Sequence, residues 1–496
     1  MEVSAVFTYS YYTQTTTLAL LYLWISLLNV QNYRQKSNYP PPKTFPSKSS
    51  KLRETLMKKL LKKILPEDAL LFYHYLLARV AALLYGFPSR KMIVIGVTGT
   101  KGKTSTINFI WACLMAGGYK TGIITTANIR IGEKEILNSY HMTMPGRFTI
   151  QKLMAHMVRE GCTHCIVETS SEGLKQYRHA GIAYDIAVFT NLFPEHLQSH
   201  GGSFENYKMA KGKLFAALTG SPKKIAGREI EKVIVVNKDS EWSDYFLGFP
   251  ADKKIEFGTT DKADVIAQNI QETKEGVTFS VGNIPFALSI LGKFNVHNAL
   301  AGITISRHFG VSDHAIARGL LDLKTIPGRM ECITEGQPFT VLVDYAHERQ
   351  SITNLLATVQ AMRNPQAKII ILTGSEGGGR DKTKRAAIGE LVGTLADFVV
   401  VSNADPYNDD PMEIIEGIAT VAEKFGKKRG VNLFPIEDRR LGIRKALSLA
   451  RDGDIVIIAG KGAEQSMIMQ NNVEVPWDDR RVTREELKKL TQNSSV

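Results

Sequence analysis

The segment KMIVIGVTGTKGKTST, residues 91–106, constrains the fold of this chain more than any other stretch. Its first part, residues 92–97, is an apolar and β-branched run that is typical of a buried parallel strand. A tight loop is predicted next, because bulky side chains could not easily adopt its backbone conformations; its members are Gly99, Thr100, Lys101 and Gly102. A helix is predicted to follow at once. Strand, loop and helix in direct succession indicate an α/β fold.

These three elements together form a candidate site for phosphate groups. Backbone N–H groups of the loop and the positive end of the helix dipole would point at an anion. Lys103 would reach the terminal phosphates of a nucleotide, and the Thr104 hydroxyl would bind Mg²⁺. The spacing departs from the strict P-loop pattern, because Val97 occupies the position of its first glycine. A simple glycine turn is the alternative, but the adjacent Gly, Lys and Thr favour a nucleotide site.

Composition limits the classes of function. A length of 496 residues suggests about three domains. The net charge is +13, but residues 1–91 hold 13 Lys/Arg and 4 Asp/Glu and so contribute +9 of it. The rest of the chain is only mildly basic, which argues against nucleic acid as a partner. Four cysteines do not form a disulfide framework, and Cys162 and Cys165 lack a second pair for a zinc site. We expect a cytoplasmic monomer.

The N-terminal region carries little of the pattern of a folded domain. Its apolar run at residues 18–28 is short for a membrane span, and no Lys or Arg precedes it as in a signal peptide. Residues 38–50 contain four prolines and predict a linker. Residues 51–90 predict two helices, of which the first is basic and amphipathic. That helix could lie on an anionic membrane surface or pack on the next domain, and both interpretations stay open.

Two α/β units are predicted to follow. Residues 91–328 alternate apolar strands with helices, which indicates a parallel sheet covered on both faces. Short strands predominate from about 221 to 290, so a β-rich excursion is expected there. Residues 329–496 alternate again and predict an open, Rossmann-like domain without the G-x-G-x-x-G fingerprint. The predicted fold class is α/β, with a P-loop-type parallel-sheet ATPase domain and a C-terminal Rossmann-like domain after a helical N-terminal segment.

Polar residues at predicted strand ends indicate a metal site. Glu168 ends an apolar strand, where α/β sheets place ligand-binding groups, and its carboxylate suits Mg²⁺. The next predicted strand is followed by Asn191, Glu195, His196 and His200. A single histidine is more often structural, but this cluster favours a site.

Several stretches of the chain resemble the Mur ligase family, the ATP-dependent peptide-bond-forming enzymes of cell-wall precursor synthesis. The chain is most similar to the UDP-N-acetylmuramoyl-tripeptide synthetase type. In family order the stretches are GVTGTKGKTST (96–106), ETSSEGLKQYR (168–178), TNLFPEHLQSHG (190–201), YKMAKGKLF (207–215), LGKFNVHNALAG (291–302), IPGRME (326–331), DYAH (344–347), GGGRDKTKR (377–385) and GKGAE (460–464). The resemblance implies a ligase that joins a carboxylate to the amine of an amino acid through an acyl phosphate.

The resemblance also implies ligands for ATP and Mg²⁺. The positions expected to bind ATP are Gly99, Thr100, Gly102, Lys103, Thr104, Ser105, Asn191, Asn295, Asn298, Arg329 and Asp344. The expected metal ligands are Thr104, Glu168, His196 and Lys211, the last as a carbamate. The expected catalytic set is Lys103, Glu168, His196, Lys211, Arg329 and Asp344.

Two further substrates are implied, both of them small molecules. The positions that match the UDP-sugar site are Thr143, Ser170, Gln176 and Arg178. The incoming amino acid is expected at Arg380 and Glu464, and the predicted substrate-binding set also includes His347, Asp405, Tyr407 and Gly460.

The chain departs from the family pattern at several positions. The usual Asp-His-Leu-Asp reads Glu195-His196-Leu197-Gln198, and the usual Ser-Ser-His ends in Glu172. Ala463 replaces the histidine of Gly-Lys-Gly-His-Glu. The Asp-Asn-Pro-Arg of the diaminopimelate type ends in Tyr407 here. Residues 51–90 are shorter and more helical than the family's uridine-binding domain.

Three interpretations therefore stay open at the level of sequence. The first is a ligase of the tripeptide-synthetase type. The second is a related ligase that acts on another acid, such as one similar to folyl-polyglutamate or cyanophycin synthetase. The third is a membrane-associated nucleotide-binding protein without catalysis, against which the whole retained set of catalytic positions argues.

Deleting residues 1–50 is expected to leave the implied ATP hydrolysis and ligation intact, because this segment has little core-forming pattern and ends in a proline-rich linker. The measurement compares the rates of phosphate release and product formation of the truncated and full-length proteins. A truncated protein that is soluble but inactive would show that the segment belongs to the fold or to a substrate site.

Overall fold

The computed structural model describes residues 66–140, 142–195, 197–220, 222–273, 275–379 and 382–493. The predicted tail and linker, the basic helix predicted before residue 66, and the predicted site residues His196 and Arg380 lie outside the described residues. No helix in the described part of the chain is both long enough and apolar enough to span a bilayer.

The described chain begins with a helix that packs on the first α/β unit. Helix α1, Glu67–Leu84, follows Pro66 and buries a stripe of small and aliphatic side chains. The helix ends at a turn in which Phe87 N donates to Ala82 O at 2.8 Å and Gly86 has a φ of 69°. Its side chains contact the segment around Ala180, because Arg79 Nη1 donates to Ala180 O at 3.4 Å.

The first α/β unit contains a large twisted sheet. Its eleven strands lie in the order β13-β12-β11-β10-β9-β6-β1-β5-β2-β3-β4. The strands are β1 Ile93–Thr98, β2 Thr121–Ile124, β3 Asn128–Ile131, β4 Lys134–Leu137, β5 His164–Glu168, β6 Ile186–Phe189, β9 Val233–Asn237, β10 Lys253–Gly258, β11 Val265–Thr273, β12 Gly276–Val281 and β13 Ile284–Leu288. Strands β7 Lys224–Ile225 and β8 Arg228–Glu229 form a separate small ladder.

The core of this sheet is parallel and its margins are antiparallel. Strand β1 pairs in parallel with β5 and β6, and β6, β9, β10 and β11 continue in parallel. The pairs β11–β12, β12–β13, β2–β3 and β3–β4 are antiparallel. Most strands that were predicted as a β-rich excursion thus extend the central sheet itself.

Helices cover both faces of the central sheet, which confirms the predicted α/β class. They are α2 Lys103–Ala116, α3 Arg147–Arg159, α4 Ser171–Lys175, α5 Phe204–Ala216, α6 Ser243–Leu247, α7 Asn295–His308 and α8 Asp313–Asp322. One apolar core joins α2, α7 and α8 to one face of the sheet, and a second joins α3 and α5 to the other.

The second α/β unit is a six-stranded sheet in the order β14-β15-β19-β16-β17-β18. The strands are β14 Glu331–Cys332, β15 Thr340–Asp344, β16 Ile369–Thr373, β17 Phe398–Ser402, β18 Leu433–Ile436 and β19 Ile455–Ala459. The helices are α9 Arg349–Met362, α10 Thr383–Leu395, α11 Pro411–Lys424, α12 Arg439–Leu449 and α13 Asp479–Asn493. A hairpin, β20 Ser466–Met469 and β21 Val473–Pro476, follows β19.

Sheet order determines where the candidate site lies. Strands β6, β1 and β5 are parallel neighbours, so the loops after them emerge at one edge of the central sheet. Strands β15 and β19 are parallel neighbours in the second sheet and likewise end together. Ligands of open α/β sheets bind at the carboxyl ends of the strands, and the predicted site residues lie on these loops.

Candidate active site

The loop after β1 adopts the conformation that its glycines allow. Gly99 has a φ of 152° and Gly102 a φ of 81°. An added Cβ would overlap Thr190 Oγ1 at Gly99 and Asn298 Oδ1 at Gly102. The loop is held by the neighbouring strand end, where Thr100 N donates to Asn191 O at 2.9 Å. Both the backbone angle and the close packing therefore require glycine.

The start of α2 leaves donors available for an anion. Gly102 occupies the N-cap position, and no side chain caps the helix, so its first N–H groups point out of the helix without a side-chain acceptor. Lys103 Nζ donates to Gly99 O at 3.0 Å and to Thr100 O at 2.9 Å. Burial lowers the pKa of the Lys103 ammonium. The two carbonyl oxygens balance the positive charge of Lys103 only in part, and an anion bound at the loop would balance it more fully.

Two oxygen ligands suited to a hard cation lie beside this loop. Thr104 Oγ1 donates to Glu168 Oε2 at 2.9 Å, and the same carboxylate oxygen accepts from Thr126 N at 2.7 Å. Arg329 Nη2 donates to Thr104 Oγ1 at 3.3 Å. Hydroxyl and carboxylate oxygens are the ligands that Mg²⁺ prefers. Within the described residues no group of three His, Cys, Asp or Glu side chains could hold a metal.

Lys211 lies at the same place and is 2% exposed. Its Nζ donates to Gly99 O at 2.8 Å, the carbonyl that Lys103 also contacts. The ammonium is 4.5 Å from the centroid of the Tyr207 ring, and the Tyr207 hydroxyl lies 3.0 Å from Thr100 Oγ1. Burial, and next the charge of Lys103, hold the pKa of Lys211 well below its usual value. A buried amine of this kind is readily neutral.

His200, which the sequence grouped with His196, has a different environment. Its Nε2 lies 3.1 Å from Ser171 Oγ, and the side chain is buried. Burial lowers the pKa of His200. The structure therefore places its imidazole against the start of α4 and the Tyr207 ring.

Asn295 and Asn298, which are predicted to bind ATP, lie on α7 beside the loop. Thr106 Oγ1 donates to Asn298 Oδ1 at 3.0 Å, and Asn298 Nδ2 donates to Asn295 Oδ1 at 2.9 Å. Sequence reasoning missed a neighbouring cluster, in which Asp239 lies 2.7 Å from His297 Nε2. The signal was available, since His297 stands between the two asparagines in the FNVHN stretch.

A hinge segment connects the two sheets at the site. Asp344, at the end of β15, accepts from Met330 N and Ala346 N, both at 2.7 Å. Burial raises the pKa of this carboxyl group. The Arg329 guanidinium lies 4.5 Å from the centroid of the Tyr345 ring. Arg329 thus connects Thr104, 225 positions away in sequence, to the Tyr345 ring, and Asp344 holds the backbone next to Arg329.

A second connection between the two units involves a residue that sequence reasoning did not single out. Lys101 Nζ lies 2.8 Å from Glu195 Oε2 and 2.5 Å from Glu348 Oε2. Burial, followed by the proximity of Glu348, raises the pKa of Glu195 to about 8. No local pattern indicates this pairing, because Lys101 and Glu348 are 247 positions apart.

The residues that match a sugar-substrate site form a linked group near α4. Ser170 Oγ accepts from Gly173 N at 3.1 Å and so caps this helix. Arg178 Nη2 donates to Gln176 Oε1 at 2.9 Å, and Gln176 Nε2 donates to Glu172 Oε1 at 2.6 Å. Thr143 is half-buried and directly precedes Met144, whose carbonyl oxygen accepts a hydrogen bond from Arg178.

Arg147 was missed by sequence reasoning and adds a second guanidinium to this group. Its Nη2 donates to Gln176 O at 2.5 Å, and its Nε donates to His74 O of α1 at 3.0 Å. Burial, and next the charge of Arg178, lower the pKa of Arg147 to about 10. Within the described residues neither arginine forms an ion pair with a carboxylate, although the charge of Glu172 acts on Arg178.

The predicted amino-acid site contains a buried ionic cluster. Lys461 Nζ donates to both oxygens of Asp405, at 2.9 and 2.8 Å, and to Glu464 Oε2 at 2.5 Å. Tyr345 OH donates to Glu464 Oε1 at 3.2 Å. Although burial opposes it, the charges of Glu464 and Asp405 raise the pKa of Lys461. The cluster contains two carboxylates and one ammonium.

The loop that carries Tyr407 is strained at that residue, whose φ is 53°. Tyr407 N donates to Ile468 O of the β20–β21 hairpin at 3.2 Å. Asp410 Oδ1 accepts from Met412 N at 2.9 Å and caps α11.

The remaining predicted substrate residues line the strand ends of the second sheet. His347 Nδ1 lies 2.7 Å from Tyr345 O, and burial lowers its pKa. Gly460 has a φ of 120°, and its N–H donates to Asp344 O at 3.0 Å.

Family models match the two α/β units separately. Residues 97–306 match the Mur ligase middle domain, and residues 328–462 match the Mur ligase, glutamate ligase domain. The chain is 39% identical to the UDP-N-acetylmuramyl-tripeptide synthetase of Roseiflexus sp. (strain RS-1), over 84% of this chain and 82% of that protein. It is 36% identical to the UDP-N-acetylmuramoyl-L-alanyl-D-glutamate–2,6-diaminopimelate ligase of Geobacillus kaustophilus, over 83% and 82%.

Solved structures show the same architecture. A UDP-N-acetylmuramoyl-L-alanyl-D-glutamate–2,6-diaminopimelate ligase is 27% identical and superposes with a TM-score of 0.55, covering 84% of this chain and 83% of that one. Folylpolyglutamate synthase of Mycobacterium tuberculosis has a TM-score of 0.64 at 19% identity, covering 84% of this chain and 95% of that one. At that identity the second similarity concerns the fold alone.

Proposed function

Because the chain belongs to the Mur ligase family, whose members are ATP-dependent C–N ligases, we propose that it adds an amino acid to a UDP-MurNAc-peptide-like acid during peptidoglycan precursor synthesis. The observation that carries the proposal is the meeting of Lys103, Lys211 and the Thr104–Glu168 pair around one loop at the carboxyl edge of the central sheet. These groups have the chemistry that phosphoryl transfer from ATP needs. A cytoplasmic location is part of the proposal, because ATP is the co-substrate.

The reaction is a carboxylate activation followed by amide formation. A carboxylate oxygen of the acceptor attacks the γ-phosphorus of ATP, and the bond to ADP breaks to give an acyl phosphate. The amine of the amino acid then attacks the acyl carbon, loses a proton and displaces phosphate. Lys103 and the free N–H groups at the start of α2 offset the charge on the transferred phosphoryl group.

The proposal also includes a set of metal ligands around this loop. Mg²⁺, when bound, would neutralise phosphate charge and orient the phosphoryl group. Thr104 and Glu168 would provide two of its oxygen ligands. His196, which the family resemblance predicts as a metal ligand, would provide another. Carbamylation of Lys211 would provide another, because a neutral amine reacts with CO₂ to give a carbamate and one proton. The change replaces a neutral amine beside Lys103 with an anion, which attracts the Lys103 ammonium.

The acceptor is held on the arginine side of the site. Arg178 and Arg147 place two guanidinium groups near each other, and the charge of Glu172 also acts on Arg178. An acid with phosphate and carboxylate groups would pair with them by charge-assisted hydrogen bonds. A ligase for another acid would need the same kind of surface, so the acceptor has to be identified by measurement.

The test is phosphate release that depends on both substrates. UDP-MurNAc-L-alanyl-D-glutamate, a folate-type glutamyl acid and no acceptor are compared, each with a panel of amino acids and with the product identified by mass. Release and product with the UDP-linked acid support the proposal. Product with the folate-type acid alone would assign the second ligase class, and no product with any acid would contradict ligase activity.

L-Lysine or another amino acid without a distal carboxylate is expected to be used more efficiently than meso-diaminopimelate. Tyr407 replaces the arginine whose guanidinium would pair with that carboxylate, and Asp405 is already neutralised by Lys461. Loss of such a pair in a desolvated pocket costs about 2–5 kcal/mol, or at least roughly tenfold in selectivity. The measurement is kcat/KM for each amino acid at saturating ATP and acceptor.

Tyr407→Arg is expected to shift this preference toward diaminopimelate, and Tyr407→Phe is the matched control that changes the ring without adding charge. If the unmodified protein clearly prefers diaminopimelate, the idea is wrong, and another base, such as Arg380, provides the missing charge.

A further inference from the structure

A lysine of the loop between β1 and α2 is bound by carboxyl groups from both α/β units. The Lys101 ammonium lies 2.8 Å from Glu195, which follows β6, and 2.5 Å from Glu348, which precedes α9. The three side chains are 23, 16 and 11% exposed, respectively. Such partly buried pairs are screened less by solvent than surface pairs. The contact therefore joins the nucleotide loop of one unit to the first helix of the other.

The main chain of Lys101 is fixed independently of its side chain. Its N–H donates to Asn191 Oδ1 at 2.8 Å, and its carbonyl accepts from Thr190 Oγ1 at 2.8 Å and from Asn191 Nδ2 at 3.1 Å. The loop conformation thus does not need the ammonium group. The side chain also leaves the phosphate-facing donors of the loop to Lys103 and the backbone, and extends toward the second unit instead.

Glu348 is held rigidly at the other end of the contact. It is the N-cap of α9, where its side chain accepts from the N–H of Ser351 and the Ser351 hydroxyl accepts from the N–H of Glu348. This reciprocal capping box fixes the carboxylate relative to the helix. A rigid acceptor on one unit and a rigid loop on the other make the ion pair sensitive to the angle between the two units.

We propose that Lys101, Glu195 and Glu348 form an interdomain latch that stabilises the closed arrangement in which the acyl phosphate is shielded from water. This inference rests on the proposed function for the identity of the shielded species. The latch positions the two units and takes no part in the bond changes. Its loss is expected to open the site more often, so that water competes with the amine for the acyl carbon.

The first test measures coupling with the full chain. For the unmodified protein, the ratio of phosphate released to peptide formed is expected to be about 1, and for Lys101→Met it is expected to rise to about 3 or more, since the exposed acyl phosphate hydrolyses. Glu348→Gln should act in the same direction and keep the helix cap, because an amide oxygen still accepts from Ser351 N. Lys238→Met is the matched control, since Lys238 pairs with Asp244 and Glu256 of its own unit.

The double variant Lys101→Met with Glu348→Gln separates a latch from two independent effects. If the two side chains act through each other, the double variant is no more uncoupled than the worse single variant. Additive uncoupling would overturn the proposal, and so would a ratio of about 1 in both single variants.

The second test measures closure without requiring ligation. Spin labels are placed at the exposed positions 262 and 452, one on each unit, with the exposed Cys332 changed to Ser. With Mg²⁺ and a non-hydrolysable ATP analogue, the distance distribution of the Lys101→Met protein is expected to broaden toward the open form relative to unmodified and Lys238→Met proteins. An unchanged distribution would overturn the latch. A shifted distribution in a protein that forms no amide would support the latch and contradict the proposed function.

Discussion

Lys211→Ala is expected to lower kcat/KM by about 100-fold or more, because the proposed carbamate is a metal ligand next to the transferred phosphoryl group. Added acetate or propionate should restore part of the activity by occupying the space of the lost carbamate. The buried position of Lys211, its contact with Gly99 O and its lowered pKa are the reasons to expect a neutral, reactive amine. Mass spectrometry at raised bicarbonate provides an independent readout of the modification.

Lys208→Ala is the matched control for this experiment. Lys208 lies on the same helix α5 and is 9% exposed, but its ammonium contacts Glu205 and the rings of Trp242 and Tyr245. The activity of the Lys208→Ala protein should stay close to that of the unmodified protein. Circular dichroism should show that both variants are folded. Near-normal turnover of Lys211→Ala without added carboxylate would mean that Lys211 is not a ligand.

Lys103→Met is expected to lower substrate-dependent phosphate release by about 10²–10³-fold, since removal of one preorganised charge at a reacting group has effects of that size. Methionine keeps the length and the apolar stem of the side chain and removes the donor to Gly99 O and Thr100 O. Single-turnover phosphate release with acceptor, ATP and amino acid is the measurement, and Lys238→Met again serves as the control.

Measuring the affinity for ATP together with kcat separates a role of Lys103 in nucleotide binding from a role in the transition state. A fall in kcat with a smaller change in nucleotide affinity assigns the lysine to the transition state. If Lys103→Met releases phosphate at a rate within about threefold of the unmodified protein, the lysine does not act in phosphoryl transfer, whatever its position in the loop.

Local sequence patterns predicted the elements that carry the site. The predicted strand at residues 92–97 is β1, Ile93–Thr98, and the helix predicted directly after the loop is α2, Lys103–Ala116. Alternation of apolar runs and helical periods depends only on neighbouring residues, so it can be read without knowledge of the fold. The roles that the family resemblance implied for single residues stay predictions.

Sequence analysis missed several strands that depend on their neighbours in the sheet. Strands β3 and β4 form a hairpin with only a short apolar pattern, and β18 pairs with β17 at an edge of the second sheet. Short edge strands carry weak periodicity, and pairing with an adjacent strand supplies the hydrogen bonds that define them.

The sequence by itself determined the α/β class, the glycine loop between β1 and α2 and the order of the motifs, because each of these depends on consecutive residues. Only the tertiary structure decided which charges neutralise each other. Asp405 pairs with Lys461, and Lys101 pairs with Glu348 of the other unit. These partners are 56 and 247 positions apart. Their meeting depends on how the strands order within each sheet and how the two sheets face each other, which no local pattern specifies.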